Sequence, residues 1–260
     1  MSFFDGVTVL ILTYNEEANI GRTLNALHPF SNVVVVDSGS TDRTSEILEG
    51  YSNVRVVTRS FDSHAAQWNF GLSQCETPWV LALDADYLVH ETLIAAISKL
   101  TPPPCVGGYR ASFRYCVLGH PLSASLYPPG TVLFRRPGAA YLQFGHTQRV
   151  HVKGHILPLP GRIDHDDRKP LGNWFRSQAS YAKLEAEYLL AKPPEELRRL
   201  DMIRLAAWPA PFLVFGYTMF VKKCLFEGWP GWLYVLQRVL AETMLAIELV
   251  ERRLRELHPS

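Results

Sequence analysis

Two aspartates one residue apart, Asp84 and Asp86, close the apolar run Trp79-Val80-Leu81-Ala82-Leu83. Carboxylates are costly to bury unpaired beside such a run, which places them at the C-terminal edge of a strand, facing positive charge. Side chains alternate between faces within a strand. Past its end the chain can turn, so that both groups address one hard cation and the phosphates it bridges. A plain turn or a helix cap would use the same residues. Other polar clusters also end apolar runs. In Thr13-Tyr14-Asn15-Glu16-Glu17, backbone and carboxylate could read a base or ribose, or Asn15 could simply cap a helix. In Asp37-Ser38-Gly39-Ser40-Thr41-Asp42, Asp37 can accept hydrogen bonds from a base N–H or sugar hydroxyls, while Ser40 or Asp42 caps the next helix. Gln67 and Asn69 precede the acidic strand, and Ile163-Asp164-His165-Asp166-Asp167-Arg168-Lys169 is a dense acid–base run that reads as a solvated loop or as part of a site.

The elements that would position these groups alternate. Residues 7–12, 33–36, 54–57 and 80–83 are short β-branched or aliphatic runs that predict strands. Residues 18–27, 40–48, 65–73 and 91–100 predict the helices between and after them, the last stopped by Pro102-Pro103-Pro104. Such alternation calls for a parallel sheet with helices on both faces, whose ligands bind beyond the carboxyl ends of the strands. All three polar clusters sit there. From residue 107 the pattern changes to strands over 107–118 and 131–136, mixed strand and loop over 141–159, and a helix over 173–190.

A chain of 260 residues with 47% hydrophobic and 20% charged residues can bury a large core. A net charge of +1 gives no case for a nucleic-acid partner. Cys75, Cys105, Cys116 and Cys224 lack metal-type spacing and read as reduced thiols in a cytoplasmic setting. Met1-Ser2-Phe3-Phe4-Asp5 reads as leading straight into a strand, not as a signal peptide.

In order and spacing, TYNEE after the first strand, VVDSGSTDRT after the second, AQWNFGL and WVLALDAD resemble the family 2 glycosyltransferases of GT-A fold. The likeness is strong over residues 6–100, weaker to 190, and nearest to the bacterial branch that builds lipopolysaccharide core and other surface glycans. It implies an α/β fold with a mostly parallel sheet flanked by helices, a domain over residues 1–190 and a helical extension over 191–260. It also implies inverting transfer from a nucleotide-diphosphate sugar, UDP-linked in many relatives, to a lipid-linked or glycan acceptor. Thr13, Tyr14, Asn15 and Glu16 would then line the nucleotide pocket, with Asp37 on the base and Ser38 beside it. Gln67 and Asn69 would lie near the diphosphate or donor sugar, and Asp84 at the ribose or donor sugar. Asp86 would hold a divalent metal, Mn²⁺ or Mg²⁺, with His165 completing its shell.

Two departures matter. Tyr87 stands where many relatives have an acid, and Gly145-His146-Thr147-Gln148 stands where the core-glycan branch has a His-Glu pair. The general base is therefore open among His146, Asp166 and Asp167. A nucleotidyltransferase would show a glycine-rich basic loop after the first strand, which TYNEEANIGR does not provide, and intact Asp84 and Asp86 argue against a non-catalytic binder. A basic helix is expected over 195–204. Residues 205–221 are apolar but broken by Pro209 and Pro211, and an amphipathic helix covers 232–254. Flanking Lys and Arg suit the inner face of a membrane, with packing on the first domain or a homodimer interface as the other uses of these helices.

Overall fold

A computed structural model describes residues 2–123, 126–144 and 147–257. The chain divides into two compact units, one of residues 1–121, 127–143 and 148–169, the other of 122–126, 144–147 and 170–260. The division falls at 169/170, where the resemblance implied 190/191.

The first unit begins β1 (Val7–Thr13), α1 (Ile20–Ala26), β2 (Val33–Asp37), α2 (Thr44–Glu49), β3 (Val54–Thr58), α3 (His64–Gln74) and β4 (Trp79–Asp84). These four strands are parallel neighbours in the order β3-β2-β1-β4. After β5 (Tyr87–Val89) and α4 (Glu91–Ser98) come β6 (Val106–Val117), β7 (His120–Pro121), β8 (Gly130–Arg135), β9 (Ala140–Phe144), β10 (Thr147–His151) and β11 (His155–His165). The sheet continues from β4 through β8, β6 and β11 to β5, and β9 and β10 form a separate pair. Beyond β4 the directions mix. β8 runs antiparallel to both β4 and β6, β11 is parallel to β6, and β5 is antiparallel to β11.

The unbroken apolar runs are explained by cover on both faces of the sheet. Val9, Ile11, Val33, Val35, Leu81 and Leu83 pack with Ile20 and Leu24 of α1 and Leu93 and Ile97 of α4. The alternate residues Leu10, Val34, Val36, Val80 and Ala82 pack with Ala65, Trp68 and Leu72 of α3. Fully burying one such aliphatic side chain contributes about 1.5–3 kcal/mol. One glycine shapes the approach to the site. Gly161 lies in the irregular stretch of β11 between Pro158 and Arg162, at φ +100°, where a Cβ would stand 2.6 Å from the Leu93 backbone nitrogen. Only glycine lets β11 pass α4 this closely.

The second unit is helical: α5 (Leu171–Ala191), α6 (Arg199–Leu205), α7 (Pro209–Gly216), a π turn (Tyr217–Val221), a 3-10 turn (Cys224–Glu227) and α8 (Gly228–Leu257). α5 packs on α8 through Ala186, Leu189, Leu245 and Leu249, which is why α5 belongs here and not with the sheet. The basic helix starts at Arg199, later than expected, because Pro194–Glu196 form a separate 3-10 turn. Among the described residues, no helix is long and apolar enough to cross a membrane.

Candidate active site

Asp84 ends β4, and Ala85 and Asp86 form the turn that leads into β5. Leu83, Ala85, Tyr87 and Val89 all enter the same core cluster, and the intervening Asp84 and Asp86 stay out of it. Thr23 of α1 donates its hydroxyl to the Ala85 carbonyl at 2.6 Å, which clamps the segment between them.

Strand register delivers the histidine. In the β11–β5 pairing His165 stands opposite Tyr87, and in the β11–β6 pairing it stands beside Tyr115. The ring of His165 accordingly meets those of Tyr87 and Tyr115 at 5.3 and 5.1 Å, and that of Tyr127 at 5.0 Å, all edge-on. Its Nε2 lies 2.9 Å from Asp86 Oδ2, while its Nδ1 is buried with no hydrogen-bond partner. Aromatic packing, not a second hydrogen bond, therefore orients the imidazole.

The charges at these strand ends are unevenly balanced. Burial, then the neighbouring Asp86 charge, pushes the Asp84 carboxyl up to about 6, although Tyr87 hydrogen-bonds to it. Burial alone would also raise Asp86, but the His165 charge and hydrogen bond and the Lys169 charge outweigh it and hold Asp86 below the usual carboxylate range. Burial works against protonating His165, and Asp86 reverses that, raising it. Next to them Lys169 Nζ binds Glu16 Oε1 at 2.7 Å. Burial pushes the Glu16 carboxyl up to about 7 despite that lysine. Lys169 stays raised because Glu16 outweighs its own burial. Four carboxylates, Asp84, Asp86, Glu16 and Asp167, thus share the positive charge of one imidazole and one ammonium. Lys169 and its neighbour Asn19, which donates to Glu16 and to Asp167 at 2.9 Å each, were not singled out from the sequence. The only signal for Lys169 was its place in the charged run after His165.

The loops after β1 and β2 are built differently. Asp37 Oδ1 accepts from the Gly39 and Ser40 backbone N–H groups, and its Oδ2 from the Thr13 and Ser40 hydroxyls, all at 2.6–2.9 Å. A carboxylate offers about four lone-pair sites, so this one is fully used by its own loops. The expected base contact of Asp37 would have to displace one of these donors. Gly39 takes φ +88° to close the turn. The two loops are stitched together: Asn15 N–H donates to Ser40 Oγ, Thr41 N–H to the Asn15 side-chain carbonyl, and Glu16 N–H to Thr44 Oγ1. Tyr14 projects from this scaffold, more than half exposed.

Other expected residues fall in supporting positions. Gln67 is buried, donating to Ser38 Oγ and the Arg59 carbonyl and accepting from Arg59. The Asn69 amide bonds both backbone groups of Tyr141, tying α3 to β9. Asp166 is buried and held by Arg22 and Arg168 at 2.8 Å and by the Gly119 N–H at 2.9 Å. These bonds brace α1 against the end of β11. In Asp167, Oδ1 accepts from Asn19 and the Lys169 N–H. His146 lies outside the described residues.

Among the described residues, no three His, Cys, Asp or Glu side chains converge as a metal group. Asp86 Oδ2 and His165 Nε2, 2.9 Å apart, are hydrogen-bonded to each other. A carboxylate and an imidazole are donor types that a divalent cation accepts, and cations that bind through one or two side chains take their other ligands from phosphates and water.

Comparison with known proteins agrees with this geometry. Residues 8–115 match the model of glycosyl transferase family 2. The lipopolysaccharide core biosynthesis glycosyltransferase LpsC of Rhizobium meliloti (strain 1021) is 31% identical over 139 residues, covering 50% of this chain and 48% of LpsC. The poly(ribitol-phosphate) beta-N-acetylglucosaminyltransferase TarS of Staphylococcus aureus (strain Mu50 / ATCC 700699) is 36% identical over 98 residues, covering 33% of this chain and 17% of TarS. The matches thus span about half or less of the length of these curated relatives. A solved mycobacterial protein shares the fold at a TM-score of 0.51 and 16% identity, over 71% of this chain and 74% of that one. Sheet, strand-end carboxylates and sequence likeness coincide over one stretch, residues 8–115, which is similar to glycosyl transferase family 2.

Proposed function

We propose that the protein moves a sugar, with inversion, from a nucleotide-diphosphate donor, UDP-linked, to a hydroxyl of a lipid-linked or polysaccharide acceptor in bacterial surface-glycan synthesis. The observation that carries this reading is the excess of carboxylate at the carboxyl end of the sheet, where, among the described residues, Asp84, Asp86, Glu16 and Asp167 share the positive charge of His165 and Lys169. That arrangement suits a site completed by a cation and a diphosphate. Asp86 and His165 would hold Mn²⁺ or Mg²⁺, which when bound neutralises the departing nucleoside diphosphate as a Lewis acid.

The protein's own groups divide the remaining work. The stitched loops carrying Thr13, Asn15, Asp37 and Ser38 shape the nucleotide pocket, and exposed Tyr14 offers a face for the base. Asp84 meets the ribose or donor sugar, and Lys169 adds positive charge beside the diphosphate. Asp167, whose Oδ2 is not used by Asn19 or Lys169, takes the proton from the acceptor hydroxyl as that oxygen attacks the anomeric carbon. Likeness to LpsC and TarS supports the surface-glycan setting, and a position on the inner face of the membrane brings the enzyme to a lipid-carried acceptor.

Thermal shift tests the reading directly, since a ligand that binds only the native state raises the melting temperature. UDP and UDP-sugars should raise it, and more so with Mn²⁺ or Mg²⁺. No shift from any nucleoside diphosphate or nucleotide sugar, with or without metal, would remove the donor assignment.

A further inference from the structure

The second unit exposes a dense aromatic surface that no described contact covers. Trp208, Phe212, Phe226 and Trp229 are 73%, 72%, 81% and 86% exposed. Trp208, Phe212 and Phe215 recur at i, i+4 and i+7 through α7 and so share one helix face. The opposite side of this hairpin is well packed: α7 lies on α8, and Ala210, Thr218, Met219, Cys224, Tyr234 and Val235 are buried. The exposed rings are therefore displayed by an ordered scaffold and are not left over from a poorly folded tail. Large contiguous apolar patches are rare on soluble monomers and mark binding surfaces.

Charge selects the occupant. From residue 205 to 237 the only charged side chains are Lys222, Lys223 and Glu227, and Glu227 is engaged by Ser123. The pair of lysines sits between the π turn and the 3-10 turn, in the middle of the aromatic set. Trp and Phe beside paired cations match the interface of an anionic bilayer, where rings settle at headgroup level and ammonium groups meet lipid phosphate. The depth follows from length. The eight residues of α7 extend about 12 Å, far short of a hydrocarbon core of about 30 Å.

We propose that the hairpin of α7 and the start of α8 is an interfacial membrane anchor, with Trp208, Phe212, Phe226 and Trp229 entering an anionic lipid surface and Lys222 and Lys223 binding its phosphates. This deepens the membrane-side part of the proposed function and rests on it only for the choice of the inner leaflet.

The test uses full-length protein, without donor or acceptor, mixed with phosphatidylcholine vesicles that contain or lack phosphatidylglycerol. Wild type should float with the anionic vesicles at low salt and bind at least tenfold more weakly to neutral vesicles or in high salt. Phe226→Ser with Trp229→Ser should weaken binding at least tenfold on anionic vesicles. Lys222→Glu with Lys223→Glu should weaken it comparably and remove the salt dependence. All four positions are exposed or partly exposed, so an unchanged melting temperature shows that folding is intact. Wild type remaining in the soluble fraction at low salt, or binding that neither double variant weakens, overturns the proposal. So does a wild-type dimer that the aromatic variant converts to monomer without any vesicle binding, because a second copy then covers the patch. Donor-induced thermal shifts in the same preparations keep these outcomes separate from the fate of the transferase reading.

Discussion

Two neighbouring regions of the sheet end solve opposite problems. The loops after β1 and β2 satisfy themselves: Asp37 spends its full accepting capacity on Gly39, Ser40 and Thr13, and Asn15 and Ser40 lock one loop to the other. The group at the ends of β4 and β11 does not. Asp84 is held up to about 6 and Glu16 up to about 7 because burial and like charge outweigh their partners. A satisfied region makes a rigid mould, and an unsatisfied one leaves interaction free energy for a ligand to supply. The difference teaches that one region is fixed by its own hydrogen bonds, while the other keeps carboxylates that burial and like charge leave under-compensated.

The largest effects should come from the unsatisfied group. Asp86→Ala removes one of two candidate metal donors and the partner of His165. Turnover should fall on the order of 10²–10³-fold, the scale of losing one electrostatic stabiliser, with an unchanged circular dichroism spectrum and no metal-dependent thermal shift. Activity that survives this change, or that persists in excess chelator, would break the comparison at its centre. Asp167→Asn should lower kcat by roughly 10²–10⁴-fold, the usual contribution of a general base, while leaving donor KM nearly unchanged. A kcat within a few-fold of wild type would move the base elsewhere.

A smaller loss is expected in the satisfied region, and it should be felt as stability. Asp37→Ala strands two backbone N–H groups and two hydroxyls around a buried site. At about 1 kcal/mol for each bond that water cannot replace, the loss is about 2–3 kcal/mol. The melting temperature should drop by roughly 5–10 °C for a chain of this size, and donor KM should rise several-fold. Asp37→Ala with wild-type melting and wild-type KM would show that the loops are not held by this residue.

The smallest effect is a pH slope. Glu16 binds its proton more tightly in the fold, at about 7, than at its ordinary 4.5. Its contribution to stability is therefore complete below about pH 4.5 and is lost as pH rises through about 7. Glu16→Gln should flatten the fall in melting temperature across that window. An identical slope in the variant would mean that Lys169 already compensates Glu16 fully.

Much of this region was legible along the chain. The continuous apolar runs of β1, β2 and β4 announced a sheet covered on both faces, and LALDAD marked where its last parallel strand ends. Their side-chain roles were less legible. Asp37 and Asn69 carry the residue types of ligand contacts, yet both are consumed by hydrogen bonds within the protein. Asp166 sits in the acidic run beside His165 but is neutralised by Arg22, 144 positions away. Linear spacing says nothing about such partners, because they meet only when strands distant in sequence pair.

By itself the sequence determined what is local: apolar periodicity, the pair Asp84 and Asp86, and an apolar, lysine-flanked segment near the C-terminus. Period-two alternation and the cost of burying carboxylates suffice for these. The family resemblance set His165 beside Asp86, and tertiary structure closed that approach across 79 positions; tertiary structure alone decided that Lys169 meets Glu16 and that aromatic rings of the second unit stay exposed. Those outcomes depend on strand register and helix packing, where each group's environment is set by the remote segments that bury it, pair it or leave it in water.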